Sequence, residues 1–339
     1  MKATSLKTSW KETMNDKPER PIFIVGSPRS GTGFLRNMVR THPRISIPSE
    51  SHFIPHFFKS YSDPKNAAEA IRLGRRIKNF GRVREWGLEF SEVEFSNCRK
   101  YSEAITLLFS KWSLTEDKPR WGDKTPHYVR HISTLIEIFP NAQILHIIRD
   151  PRAVSRSWSK HPLGSGNIYS AAMQWRENVM AGRNAGANLR PESYMEIRYE
   201  QLLQNPKASM ESVFRFLGES TPSDGVVSST SSTLPHPIAC TGMLDGVKSR
   251  MTAWREELTP TEIQLVEAIA ADLMIELEYE PTGPIRPLPR IRSFIWKMET
   301  VIVHYVRMFQ GSKRWKDNSR LLAAKTRRRL LRRWSPTDR

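Results

Sequence analysis

The tightest constraint on this chain lies between residues 22 and 43. Ile22-Phe23-Ile24-Val25 is a short apolar run rich in branched side chains, bounded by Gly26 and Pro28, which suits a buried strand entering a tight loop. From Thr32 onward, Phe34, Leu35, Met38 and Val39 fall at helical spacing, and the helix they predict must stop before Pro43. A strand, a glycine-bearing loop and a helix in that order open an α/β domain whose first helix aims its N-terminus at an anion. The fold expected is α/β: a P-loop-like central parallel sheet flanked by helices, with a basic helical C-terminal appendage.

The rest of the chain fits that plan. Ile45-Ser46-Ile47-Pro48 reads as a short strand and turn, and Gln143–Ile148 as a second full strand, followed by Arg149-Asp150-Pro151 and a helix from Arg152. Tyr194–Tyr199 is a third strand candidate, and a helix follows from Pro206 to Leu217. Thr259-Pro260-Thr261-Glu262 has the pattern of a helix start, with proline in the first turn and Glu three residues after a capping Thr. Residues 67–118 look helical and carry no motif; 219–246 are rich in Ser, Thr, Pro and Gly and read as a long loop or lid. The divisions expected are a polar lead-in (1–20), the main domain (21–280), a proline-rich linker (281–290) and a basic amphipathic helical tail (291–339). With 339 residues, 38% of them hydrophobic, the main domain has enough apolar material to bury a core.

The charge is concentrated at the end. Ile285–Arg339 holds 16 Lys/Arg against 3 Asp/Glu, leaving 37 against 32 in the residues before it. The basicity therefore describes the tail and says little about what the domain binds. In that tail Phe294, Met298, Val301, Ile302, Tyr305 and Phe309 share one helical face, a pattern suited to an anionic membrane surface. Packing on the domain or on a partner is the alternative, and nucleic acid the less favoured one. No signal-peptide core and no apolar run long enough to span a membrane is expected. Cys98 and Cys240 are too few for a disulfide framework and lack metal-ligand spacing. A cytoplasmic protein, peripheral to a membrane if the tail binds one, is the expectation.

The loop Gly26-Ser27-Pro28-Arg29-Ser30-Gly31-Thr32-Gly33 should offer backbone N–H groups to a phosphate or sulfate. Its two glycines at 26 and 31 match the spacing of a nucleotide-triphosphate P-loop, but Thr32 and Gly33 stand where such a loop needs Lys and a Mg²⁺-binding hydroxyl. A nucleotide kinase is disfavoured on that ground. Arg149 at the end of a strand and Ser157 eight residues later can reach one phosphate together, the arginine as a bidentate fork. Each motif alone has a plain structural alternative: a glycine-rich turn without ligand, and a surface helix with scattered arginines.

Pro28-Arg29-Ser30-Gly31-Thr32 after a hydrophobic strand resembles the 5'-phosphosulfate loop of sulfotransferases that use PAPS (3'-phosphoadenosine-5'-phosphosulfate). The stretch GSPRSGTGFLRNMVRTHPRISIPSESHFIP is particularly similar to the tyrosylprotein branch, which carries a second Thr where this chain has Gly33. Arg149 and Ser157 resemble that family's 3'-phosphate pair. The resemblance implies Glu50 as the base that deprotonates an acceptor hydroxyl, and Lys124, in Trp121-Gly122-Asp123-Lys124-Thr125-Pro126, as a cation near the transferred group, with Arg29 acting alongside it. It also implies Tyr199 beside the nucleotide and Lys248 closing over the 3'-phosphate. His52 and His127 are weaker base candidates, and Trp254 is either a core residue or a base-stacking one. A lone Glu is ordinarily solvated, and Lys124 has the alternative of a solvent lysine ahead of a helix at Pro126.

The function expected is metal-free, in-line sulfuryl transfer from PAPS to an acceptor hydroxyl, with PAP as the product. Glycan, lipid-linked sugar, small alcohol and peptide tyrosine are all open as acceptors. The competing class is a non-catalytic nucleotide-binding fold that anchors a basic membrane- or nucleic-acid-binding tail.

Overall fold

The computed structural model describes residues 20–164, 166–222, 251–285 and Met298. Lys248, most of the expected lid and the tail apart from Met298 lie outside the described residues. Five parallel strands form one sheet in the order β2-β3-β1-β4-β5: β1 (Ile22–Gly26), β2 (Ile45–Ser46), β3 (Arg120–Lys124), β4 (Gln143–Ile148) and β5 (Tyr194–Arg198). All of β1 and β4 is buried. Alternation sends Phe23 and Val25 into the core cluster on one face, and Ile22 and Ile24 into the cluster on the other. Two covered faces explain why β1 reads as an unbroken apolar run rather than an alternating one.

β3 was not expected. Its sequence, Arg120-Trp121-Gly122-Asp123-Lys124, looks like a polar turn, yet it pairs with β1 on one side and β2 on the other. The polar groups are accommodated internally: the buried Arg120 guanidinium donates to the Arg20 and Leu217 carbonyls, Glu219 and Gln143. Trp121 stacks on Phe109 at 4.7 Å. Such a strand is held by hydrogen bonds and one large ring, and branched side chains do not announce it.

Among the described residues the helices are α1 (Thr32–Arg40), α2 (Ile54–Tyr61), α3 (Ala67–Lys78), α4 (Gly81–Arg84), α5 (Tyr101–Thr115), α6 (Ile132–Ile138), α7 (Pro151–Ser159), α8 (Ile168–Gly186), α9 (Tyr199–Gln204), α10 (Pro206–Leu217), α11 (Trp254–Glu257) and α12 (Pro260–Glu276). Short 3₁₀ turns occupy Glu92–Asn97 and Pro126–His131. Thr259 and Glu262 close the capping box of α12 as read from the sequence.

The start of α7 is fixed firmly. Asp150 accepts from the Arg152 backbone N–H at 2.8 Å, and the buried Arg152 guanidinium bonds Asp150 and Glu267 while lying 4.0 Å from the Trp254 ring. Trp254, 2% exposed, packs with Ala153 and Leu258. It is a core residue, which removes the base-stacking alternative. α8, unread in the sequence, lies against α7, α12 and the sheet, and donates from Trp175 Nε1 to the Arg149 carbonyl at 2.9 Å.

Strand register sets where ligands can gather. Ile24 pairs with Lys124, and Gly26 with Ile147, so β1, β3 and β4 end at one edge. The segments that follow them open there together, as binding segments do in open α/β sheets.

Candidate active site

The first of those segments is the 27–31 loop. Ser30 N–H donates to the Ser27 carbonyl at 3.1 Å, and Leu35 N–H to Gly31 at 3.0 Å, which turns the chain straight into α1. Among the described residues no side chain caps α1, so its first N–H groups point outward without a cap. The Ser30 hydroxyl is fully buried with no hydrogen-bond partner in the described residues. An uncapped helix end beside an orphaned hydroxyl fits an anion.

Gly31 is required twice over. Its φ is 96°, and a Cβ there would sit 2.4 Å from the Tyr199 ring. Tyr199, expected beside the nucleotide, is thus the floor under the loop, with the Arg149 guanidinium 4.5 Å from its centroid. Gly33 is different: among the described residues nothing lies within 4 Å of where its Cβ would be.

The second segment brings the distant motif to the first. Arg29, at φ 73°, donates from Nε to the Ser157 hydroxyl at 3.0 Å, while its carbonyl accepts from Arg149 Nη1 at 3.3 Å across 120 residues of sequence. Arg149 and Ser157 are half-buried and Arg29 is exposed. The plain reading of α7 as a surface helix fails, since Arg152, Ala153, Val154, Ser155 and Trp158 along it are buried.

The third segment holds the base candidate. Lys124 closes β3 with its side chain only 12% exposed, and its ammonium pairs with Glu50 Oε1. It is therefore a strand-end cation, not a solvent lysine ahead of a helix. The other carboxylate oxygen, Oε2, is 2.7 Å from His52 Nε2. Partial burial pushes the Glu50 carboxyl up, but the His52 hydrogen bond and the Lys124 charge outweigh it and hold the group down at about 2. His127 stands within electrostatic reach of both Glu50 and His52, and burial lowers its imidazole below the ordinary value.

Two supports went unnoticed in the sequence. Asn178, buried on α8, donates to the Ser27 hydroxyl at 3.2 Å and accepts from Arg130, bracing the loop from behind. Its signal is the spacing of Trp175, Asn178, Val179 and Gly182 on the buried face of α8, an apolar stripe interrupted by one amide. The second support surrounds Ser51. Its N–H is shared by Asp123 Oδ1 at 3.3 Å and Thr125 Oγ1 at 3.2 Å, and its hydroxyl meets the Tyr128 hydroxyl at 2.8 Å. Complete burial pushes the Asp123 carboxyl up to about 6 against the pull of Thr125 and Ser51, and its Oδ2 has no partner among the described residues.

A model of the Sulfotransferase family matches residues 21–223. The fruit fly (Drosophila melanogaster) protein-tyrosine sulfotransferase is 28% identical over 202 residues, which cover 58% of this chain and 37% of the fly protein. Nodulation protein NoeE of Sinorhizobium fredii is 25% identical over 318 residues, 85% of this chain and 72% of that one. The chain spans half or less of the length of the fly protein and of the similar Caenorhabditis elegans protein-tyrosine sulfotransferase A. Among solved structures, the sulfotransferase domain from the curacin biosynthetic pathway aligns with a TM-score of 0.52 at 20% identity, covering 78% of this chain and 99% of that domain.

Proposed function

The chain belongs to the sulfotransferase family, and we propose that it transfers a sulfuryl group from PAPS to a hydroxyl-bearing acceptor, releasing PAP. The observation that carries the reading is the meeting of the two anion-binding segments. Arg29 in the 27–31 loop touches both Arg149 and Ser157, and that contact supports the two segments holding opposite ends of one adenine nucleotide. The uncapped α1 and the Ser30 hydroxyl fit the 5'-phosphosulfate end of such a donor, and Arg149 with Ser157 fits its 3'-phosphate. Lys248, outside the described residues, is proposed to close over that phosphate.

In the transfer, a bond forms between the acceptor oxygen and sulfur as the bond from sulfur to the 5'-phosphate oxygen breaks. The electron pair stays on that phosphate oxygen, and the acceptor proton goes to Glu50. Arg29 and Lys124 stabilise the charge on the sulfuryl oxygens and the departing phosphate. The pairing of Lys124 with Glu50 has a consequence here. An ammonium drawn toward the donor leaves Glu50 Oε1, and partial burial then favours the protonated carboxyl. Donor binding and base strength are coupled through one lysine.

The shared naming of the fly and nematode relatives supports a tyrosine hydroxyl as the acceptor; glycan, lipid-linked sugar and small alcohol are the alternatives an acceptor screen separates. The kinase alternative is not favoured, because Thr32 and Gly33 supply neither the lysine nor the metal-binding hydroxyl of a P-loop. A thermal-shift panel of PAP, AMP, ADP and ATP tests the donor before the acceptor is identified. PAP should stabilise most; stabilisation by ATP equal to that by PAP overturns the reading.

A further inference from the structure

We infer that His52 is a positioning residue for the base: its ring holds one carboxylate oxygen of Glu50 so that the other, relinquished by Lys124, is the oxygen presented to the acceptor. The inference rests on the reading of Glu50 as proton acceptor and goes beyond it by assigning the two oxygens different tasks.

The geometry begins with the backbone. His52 has φ 60°, the left-handed region that glycine enters freely and that the Cβ of other side chains disfavours. The chain on either side of it is pinned. Before it, Ser51 is buried and bonded to Asp123, Thr125 and Tyr128. After it, Ile54 N–H donates to the Tyr128 hydroxyl at 2.9 Å, and the Ile54 carbonyl accepts from the Tyr101 hydroxyl at 2.9 Å. Tyr128 thus grips the chain on both sides of His52, and that grip sustains the unfavourable conformation.

The conformation has a product. It delivers the imidazole back onto Glu50, two residues earlier, with Nε2 at 2.7 Å from Oε2. A carboxylate held ionised has no proton to give, so Nε2 carries the hydrogen and donates it. The groups that bear on this pair from neighbouring elements are Lys124 on β3, Arg36 on α1 and His127 in the 126–131 turn. Of these, Lys124 is bonded to the carboxylate and has a second task at the donor. When it leaves, the imidazole is the contact that keeps Glu50 from rotating, and Oε1 stays aimed where the ammonium had been.

The test uses the full chain labelled with ¹³C at glutamate carboxyls, the Glu50 signal being identified by its absence in Glu50→Gln. His52→Gly deletes the ring while keeping a backbone at ease with the left-handed conformation, and His52→Gln restores an N–H donor near the position of Nε2. The expected result is that the Glu50 titration midpoint rises by about one pH unit in His52→Gly and returns most of the way in His52→Gln. With PAPS and a phenolic probe, 4-nitrophenol, kcat should fall about tenfold in the glycine variant, the scale of one charge-assisted hydrogen bond, and recover in large part with glutamine. PAP affinity by calorimetry should stay within about twofold in both variants, well inside the tenfold that 1.4 kcal/mol represents. A Glu50 midpoint that does not move in His52→Gly overturns the inference, as does a midpoint that moves equally in both variants. Absence of PAP binding by the unmutated chain sinks the sulfotransferase reading instead, and the carboxyl titration then decides the pairing independently.

Discussion

Replacing Arg149 by alanine separates the two things that side chain does, and they have different magnitudes. Its guanidinium lies 4.5 Å from the Tyr199 centroid and donates to the Arg29 carbonyl at 3.3 Å. Both contacts brace the loop that any adenine nucleotide would use. A half-exposed cation–π contact contributes about 0.5–1 kcal/mol, and a long hydrogen bond to a carbonyl about 0.5 kcal/mol. Their loss should weaken AMP binding by no more than about five- to tenfold, because contacts within the protein enter the affinity only as far as the loop loses its binding shape. PAP loses the same support and, in addition, a charge-assisted bond to its 3'-phosphate of about 1.5–3 kcal/mol. The preference for PAP over AMP should therefore fall by a further factor of about 10–150. Isothermal titration of both nucleotides at one fixed ionic strength measures this directly, since salt screens the phosphate contact more than the stacking one. Arg149→Lys, with a point charge in place of the planar fork, should fall between. Equal losses for PAP and AMP would refute the assignment, because they would mean that Arg149 only braces the loop.

Three further outcomes follow from the site. Glu50→Gln should retain PAP affinity and lose about 10²–10⁴ of turnover, the range for a general base; unchanged turnover removes Glu50 from that task. Gly33→Thr should raise both stability and PAP affinity a few-fold. The described residues leave the space around its Cβ open, threonine is the better residue within a helix, and the new hydroxyl stands in the first turn of α1; a weaker PAP affinity would show that the space is needed by the donor. Asp123 gives a pH signature. Its carboxyl is raised from 3.8 to about 6 in the fold, so its protonated form contributes stability that is fully present below about pH 4 and lost as pH rises through about 6, on the order of 3 kcal/mol at most. The difference in unfolding free energy between the unmutated chain and Asp123→Asn should therefore change between pH 4 and pH 7 in favour of the asparagine form; a pH-independent difference rules out a raised Asp123.

Different parts of this molecule were readable for different physical reasons. β1, β4 and β5 appeared within a residue or so of their observed limits, and α10 at its observed ends, because apolar runs, proline starts and glycine stops are local signals. The 27–31 loop, proposed to bind phosphate, was readable because backbone geometry forces glycine and a small residue into set places, as Gly31 against Tyr199 shows. β3 was hidden, since its polar groups are satisfied by residues as far away as Leu217 and Glu219, and no local pattern encodes partners a hundred positions distant. α8 was hidden for a related reason. Its buried face mixes Trp175 with Asn178 and Gly182, chosen for what they touch rather than for hydrophobicity.

The proposed base shows the same limit at closer range. Glu50 could be singled out only through resemblance, for an isolated glutamate has no signature of its own. What makes it more than a surface carboxylate is an alternation between two short stretches that the sheet brings together. In one, Ser51 turns inward while Glu50 and His52 turn to the site; in the other, Asp123 and Thr125 hold Ser51 while Lys124 turns outward to Glu50. Period two is a visible property of each stretch, but the pairing of one with the other depends on the placement of β3 beside β1 and β2. A reading that missed β3 could name the glutamate and the lysine, and had no means of finding the buried serine, aspartate and tyrosine that hold them at bonding distance.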